Sequence, residues 1–161
     1  MRNGISRRRF IQSAAITAGS LNANLTAGAQ QPPAIRGFDH VALPMEHTKE
    51  MMAFYRNLGL QVIEKEAACS VYIGNQMINF HRPDHWRDQT FTLRAPSAVP
   101  PCGDLCFVWE GSPKSLAELL NHAGAKIEVG PVERQGGRKL TGSSVYVRDP
   151  DGNLLEFMIY P

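Results

Sequence analysis

The chain closes with S-S-V-Y-V-R-D-P-D-G-N-L-L-E-F-M-I-Y-P, Ser143 to Pro161, and this stretch decides how the rest is read. Val145 to Arg148 is β-rich, and Asp149-Pro150-Asp151-Gly152-Asn153 holds the residues that close a hairpin. Pro150 presets φ at a turn position, Asp149 bonds its own backbone, and Gly152 accepts positive φ. Leu154 to Tyr160 is the second strand. Successive side chains alternate, so Leu155, Phe157 and Ile159 share one face and Leu154, Glu156, Met158 and Tyr160 the other. A carboxylate in so apolar a strand either faces water or binds a metal.

Upstream, the same alternation recurs. Phe38 to Met45 is a strand with Val41, Leu43 and Met45 on one face and Phe38, His40 and Ala42 on the other. Thr48 is the expected N-cap of a helix whose apolar stripe runs through Met51, Met52, Phe54, Tyr55 and Leu58 and stops at Gly59. Leu60 to Lys65 and Ser70 to Ile73 are strands, Gly74-Asn75 a turn, and Met77 to His81 a fourth strand with Ile78 and Phe80 opposite Met77, Asn79 and His81. Residues 83–101 contain Pro83, Pro96, Pro100 and Pro101 and are expected to be an irregular linker. Within it, His85, Trp86, Arg87 and Arg94 are expected to pack on the surface, with reaching over a site as the alternative. Asp104 to Glu110 follows as a strand, with Leu105, Phe107 and Trp109 opposite Asp104, Cys106 and Val108. Ser112-Pro113 opens a helix as N-cap and first helical residue, running through Leu116, Leu119 and Leu120 to Gly124. Lys126 to Val129 is expected as a strand and Arg134 to Thr141 as a polar loop.

The two halves share an order of strand, helix and three strands. Leu58-Gly59-Leu60 and Ala123-Gly124-Ala125 correspond at an offset of 65, and His40 and Asp104 at 64. Ile78-Asn79-Phe80 and Leu155-Glu156-Phe157 correspond with strand parity preserved. An internal duplication is the simplest account. The expected fold is α+β, two βαβββ modules whose mixed sheets form a cupped site: module 1 over about 35–82, the linker, and module 2 over about 102–161. Bulky apolar rows face the helices, and His40, Asn79, His81, Asp104 and Glu156 fall on the opposite faces. Imidazole and carboxylate donors with positions left for water suit a divalent first-row metal.

Residues 1–29 read as a separate object. Ser6-Arg7-Arg8-Arg9-Phe10 resembles a twin-arginine export signal, an acid-free, weakly apolar run follows, and Ala27-Gly28-Ala29 offers a cleavage site. The expected product is exported folded, to the periplasm or beyond, by the twin-arginine machinery, with 30–34 as a short tail. Residues 1–29 carry four Arg and no acid, so the whole-chain charge of +2 becomes 13 basic against 15 acidic residues, or −2. That balance argues against a nucleic-acid binder, and nothing else in the chain is apolar enough to span a membrane. Cys69, Cys102 and Cys106 are odd in number. The last two lie about 13 Å apart in an extended strand, too far for a disulfide.

F-D-H-V-A-L near the start, I-N-F-H after a G-N turn and R-D-P-D-G-N-L-L-E near the end resemble the vicinal oxygen chelate superfamily. This superfamily includes glyoxalase I, bleomycin-resistance proteins and extradiol dioxygenases. The likeness covers about Ile35 to Tyr160, with G-N-Q-M-I-N-F-H, D-L-C-F and E-V-G-P-V-E-R closest to glyoxalase-domain proteins. The resemblance implies a divalent metal (Zn, Fe, Mn, Ni or Co), a small substrate chelated through neighbouring oxygens, and modules paired within a chain or swapped between two copies, here with a homodimer preferred. His40 matches the first-strand histidine ligand and Glu156 the last-strand glutamate. Asp104 stands where histidine is frequent, and Asn79 where some members have glutamate or glutamine. His81, one pleat beyond Asn79, is ranked first as the further ligand, or as acid/base with Glu156; Asp104 follows. The implied reactions are of glyoxalase or dioxygenase type, and the alternative is a non-catalytic binder of the bleomycin-resistance kind.

Overall fold

A computed structural model describes residues 34–161; the expected export signal lies outside the described residues. Arg36–Pro161 forms one compact unit. Its elements are β1 (His40–Pro44), α1 (Thr48–Asn57), β2 (Gln61–Glu64), β3 (Ala68–Ile73), β4 (Gln76–His81), α2 (Pro83–Trp86), β5 (Asp104–Val108), α3 (Pro113–His122), β6 (Val129–Gln135), β7 (Thr141–Arg148) and β8 (Leu154–Ile159). They make two four-stranded sheets of equivalent order, β1-β4-β3-β2 and β5-β8-β7-β6. In each, the first strand pairs parallel with the last, His40 beside Met77 in one and Asp104 beside Leu154 in the other. The fold is therefore α+β with two βαβββ units, as the repeated pattern requires.

The apolar rows make the core. Leu43 and Met45 from β1, Val71 from β3, and Ile78 and Phe80 from β4 pack with Met51, Met52, Phe54 and Tyr55 of α1. Leu116 and Leu120 of α3 join Val147, Leu155 and Phe157 in the same cluster. Burying each such side chain stabilises the fold by about 1.5–3 kcal/mol relative to exposure. α3 starts as expected, the Ser112 hydroxyl accepting from Ser115 N and Pro113 occupying the first turn.

Three details differ from expectation. α1 is capped by His47 rather than Thr48, and its side chain makes no capping bond within the helix. The acceptor comes from far along the chain: Asp151 takes the Glu46 and His47 backbone N–H groups at 2.7 and 2.9 Å. The linker contains the short helix α2, whose Trp86 is buried and donates Nε1–H to Met45 O at 2.9 Å. The third departure is β6, which spans Val129–Gln135: it meets the strand expected over Lys126 to Val129 only at Val129, and it takes Arg134 and Gln135 from the expected loop. It is the edge strand of its sheet, and its register shifts between Val129 and Val132. Pro131 is accommodated there, since an edge bulge needs no donor from it.

The D-P-D-G-N turn works as a latch. Asp149, 4% exposed, accepts from Asp151 N, Asn153 N, Asn153 Nδ2 and the Tyr55 hydroxyl of α1. Asn153 Oδ1 in turn accepts from Cys102 N and Gly103 N at 3.1 and 2.8 Å, which fixes the entry to β5. The turn thus joins α1 of the first module to both ends of the second.

Candidate ligand groove and its polar face

Strand pairing places the expected site residues on common faces. On the first sheet His40 neighbours Met77, Ala42 neighbours Asn79, and Pro44 neighbours His81. On the second, Asp104 neighbours Leu154 and Cys106 neighbours Glu156, with Tyr146 of β7 on the other side of Glu156.

A groove of about 590 Å³ runs between these strands, lined by Phe38–Val41 and β4 residues on one side and Asp104–Val108 on the other. Its walls are mostly apolar, with Val41, Met77, Ile78, Leu105 and Phe107, and His40 and Asp104 both reach it. Volume and lining match those of sites for small molecules, which combine an apolar wall with a few placed polar groups. His40 is half-exposed, and its Nδ1 lies 2.6 Å from Asp39 Oδ1. That contact leaves the other ring nitrogen for a ligand.

Glu156 is held from two sides. Its Oε1 accepts the Ser144 hydroxyl at 2.5 Å, and Ser144 is fully buried. The Cys106 thiol donates to the same carboxylate. Burial, the Glu156 charge, that hydrogen bond and the Asp104 charge together push the thiol up to about 11. Cys106 also lines the groove, so it links the clamped carboxylate to the space where a ligand would sit. Neither Ser144 nor Cys106 was singled out from sequence. Extending the β7 alternation one step before Val145 would have placed Ser144 on the face of Glu156.

His81 stands apart. It is 8% exposed and lines a separate cavity of about 60 Å³ with Trp86 and Arg94. Its ring meets His85 and Phe91 edge-on at 5.4 and 5.1 Å. Burial first, then the charges of His85 and Arg94, lower its pKa, so it is held neutral near pH 7. Asn79 Oδ1 accepts from Ser70 Oγ at 3.3 Å. A further cleft of about 480 Å³ lies between α1 and the β7–β8 turn, and none of the expected site residues lines it.

The chemistry of the donors suits a divalent metal, but their placement within one chain does not. Among the described residues, no group of three or more His, Cys, Asp and Glu side chains is arranged to hold a metal ion. His40 and Asp104 share the groove, Glu156 is tied to Ser144 and Cys106, and His81 lines the other cavity.

Two βαβββ units of equivalent strand order in one chain define the class of fold. The chain belongs to the Glyoxalase/Bleomycin resistance protein/Dioxygenase superfamily, whose model matches residues 37–157. It is 32% identical over 134 residues to the glyoxalase domain-containing protein RDO1 of Mycosarcoma maydis, covering 81% of this chain and 72% of that one. It is 33% identical over 126 residues to virulence protein STM3117 of Salmonella typhimurium, covering 76% of this chain and 83% of the relative. The crystal structure of STM3117 superposes with a TM-score of 0.70 over 80% of this chain and 100% of that chain. A lactoylglutathione lyase from Agrobacterium tumefaciens, 21% identical with a TM-score of 0.58 over 80% of this chain and 96% of that one, shares the fold.

Proposed function

We propose that this chain binds a small oxygen-bearing molecule in the groove between β1, β4 and β5, with His40 and Asp104 as its polar anchors. The observation that carries this reading is the groove itself, about 590 Å³ of mostly apolar wall with an imidazole and a carboxylate at its rim. Binding of this kind needs no metal and corresponds to the bleomycin-resistance side of the family.

A second reading is a metal-dependent enzyme of glyoxalase or dioxygenase type. It is favoured by the donor set, because His40, Asp104 and Glu156 supply one imidazole and two carboxylates, with His81 as the alternative ligand or acid/base. One chain does not bring these side chains together, so this reading requires a homodimer in which one copy contributes His40 and the other Glu156.

Metal analysis of purified protein, with His40→Ala and Glu156→Ala examined singly and after mixing and refolding, separates the two. Sub-stoichiometric metal that neither substitution changes supports metal-free binding. Stoichiometric metal, lost in each variant and recovered at about a quarter of the sites on random pairing of the two, replaces that reading with the shared-site enzyme.

We also propose that residues 1–29 direct export by the twin-arginine route, supported by the order of basic, apolar and small residues. Arg7→Lys/Arg8→Lys is expected to keep the precursor inside the cell in a fractionation assay. Export of the double variant at the wild-type level would remove the proposal.

A further inference from the structure

We infer that the β6–β7 hairpin is an anion subsite, in which Arg134 and Arg138 receive a carboxylate carried by the molecule in the groove. This rests on the reading of the groove as a ligand site and names the class of ligand it takes.

Both arginines are exposed, and each guanidinium is set over a tyrosine ring. Arg134 lies 5.8 Å from the Tyr146 centroid and donates Nε–H to the Tyr146 hydroxyl at 3.2 Å. Arg138 lies 5.0 Å from the Tyr160 centroid. A guanidinium stacked on a ring keeps its fork of donors while losing part of its freedom in advance, which favours bidentate capture of a carboxylate. Arg56, Arg82, Arg87 and Arg148 are each paired with a glutamate. Among the described residues, Arg134 and Arg138 form no ion pair with a carboxylate.

Two glycines keep the arrangement open. A Cβ at Gly136 would run into the Tyr160 hydroxyl and the Met158 sulfur, and one at Gly142, which faces Arg134 across the ladder, would come within 3.0 Å of Met158 Cγ. A larger residue at Gly136 would displace Tyr160, the ring on which Arg138 rests, and one at Gly142 would also meet the Ile159 backbone carbonyl at 2.7 Å.

The position relative to the groove gives the ligand its polarity. Tyr146, which Arg134 holds, is directly opposite Glu156, and Cys106 on the far side of Glu156 lines the groove. Arg134 therefore stands beyond Glu156 from the apolar wall, and Arg138 stands over Tyr160, four residues further along the chain from Glu156. A molecule with an apolar body and a carboxylate fits that arrangement, and Glu156 repels a carboxylate placed short of the arginines.

The matched probes are benzoate and benzyl alcohol, titrated into the purified protein while backbone amide shifts are followed by NMR. Benzoate is expected to bind at least tenfold more tightly than benzyl alcohol and to shift residues 133–146. In Arg134→Gln/Arg138→Gln that advantage should vanish, with benzyl alcohol binding unchanged as the control for an intact fold. No preference for benzoate in the wild type, or a preference that survives the double substitution, overturns the subsite and leaves the groove reading standing. If neither probe gives saturable shifts at groove residues, the groove reading falls and the subsite with it.

Discussion

Replacing Asn153 with alanine is expected to lower the unfolding free energy by about 3 kcal/mol, at about 1 kcal/mol for each of three lost side-chain hydrogen bonds and more for groups left unpaired. Asn153 is 1% exposed, and its amide ties the entry of β5 to the β7–β8 turn: Oδ1 accepts from Cys102 N and Gly103 N, while Nδ2 donates to Asp149. Its loss strands two backbone donors at the entry to β5 and removes a donor from a buried carboxylate. Urea denaturation measures the change through the midpoint, with the slope m as control. A loss below about 1 kcal/mol at unchanged m, within the range of an ordinary exposed substitution, would show that the latch holds without this side chain.

The same substitution has a pH signature. Burial raises the Asp149 pKa, opposed by its hydrogen bonds from Asn153 and Tyr55. A carboxyl raised in the folded state contributes most below its unfolded pKa, and that contribution is lost as pH rises through the folded pKa. The substitution takes away one donor that favours the charged form, Asn153 Nδ2, while the backbone N–H of residue 153 remains, so the folded pKa rises further. The deficit of Asn153→Ala should therefore be largest at neutral pH and shrink as pH falls through the folded Asp149 pKa. A deficit independent of pH would assign the cost to the Cys102 and Gly103 contacts alone.

The strand faces were legible because a period of two leaves little choice once an apolar row is seen. Leu43 with Met45, Ile78 with Phe80, and Leu155 with Phe157 are buried as their alternation requires. The duplication was legible for the same reason, in the matching parities of Asn79 and Glu156. What the sequence hid was decided by contacts between distant residues. His47 was not recognisable as the start of α1, because the acceptor that fixes the turn is Asp151, more than a hundred positions away. β6 was obscured by Gly130-Pro131, which in a central strand would break the ladder but at an edge sits in a bulge. The D-P-D-G-N signature is legible as a turn, yet its larger task is internal. Its three polar side chains are spent on the backbone, on Tyr55 and on His47, and none lines the groove. This turn, one of the stretches that carry the resemblance to the family, therefore reports on how the modules are joined. It orients β8, and β8 presents Glu156.

The state of Glu156 can be read through Cys106. Alkylation of Cys106 by iodoacetamide at pH 8 is expected to be much slower than that of an ordinary thiol. With the thiol pushed up to about 11, about one molecule in a thousand is thiolate at pH 8, against about one in four for an unperturbed cysteine. The greater nucleophilicity of the more basic thiolate returns about tenfold, which leaves a net deficit of about twentyfold. Cys102, whose pKa is raised by burial alone, is the internal comparison, and Cys69 is fully buried. Peptide mapping by mass spectrometry follows the sites separately, all three thiols being free. In Glu156→Gln the charge and its acceptor disappear while the desolvation of the sulfur remains, so labelling of Cys106, an exposed residue like Cys102, should accelerate severalfold toward the Cys102 rate. A cation or a protonated ligand at Glu156 acts in the same direction, which makes this thiol an indicator of occupancy that requires no knowledge of the reaction. Equal labelling of Cys106 and Cys102 in the wild type would mean that the carboxylate is not held against the thiol.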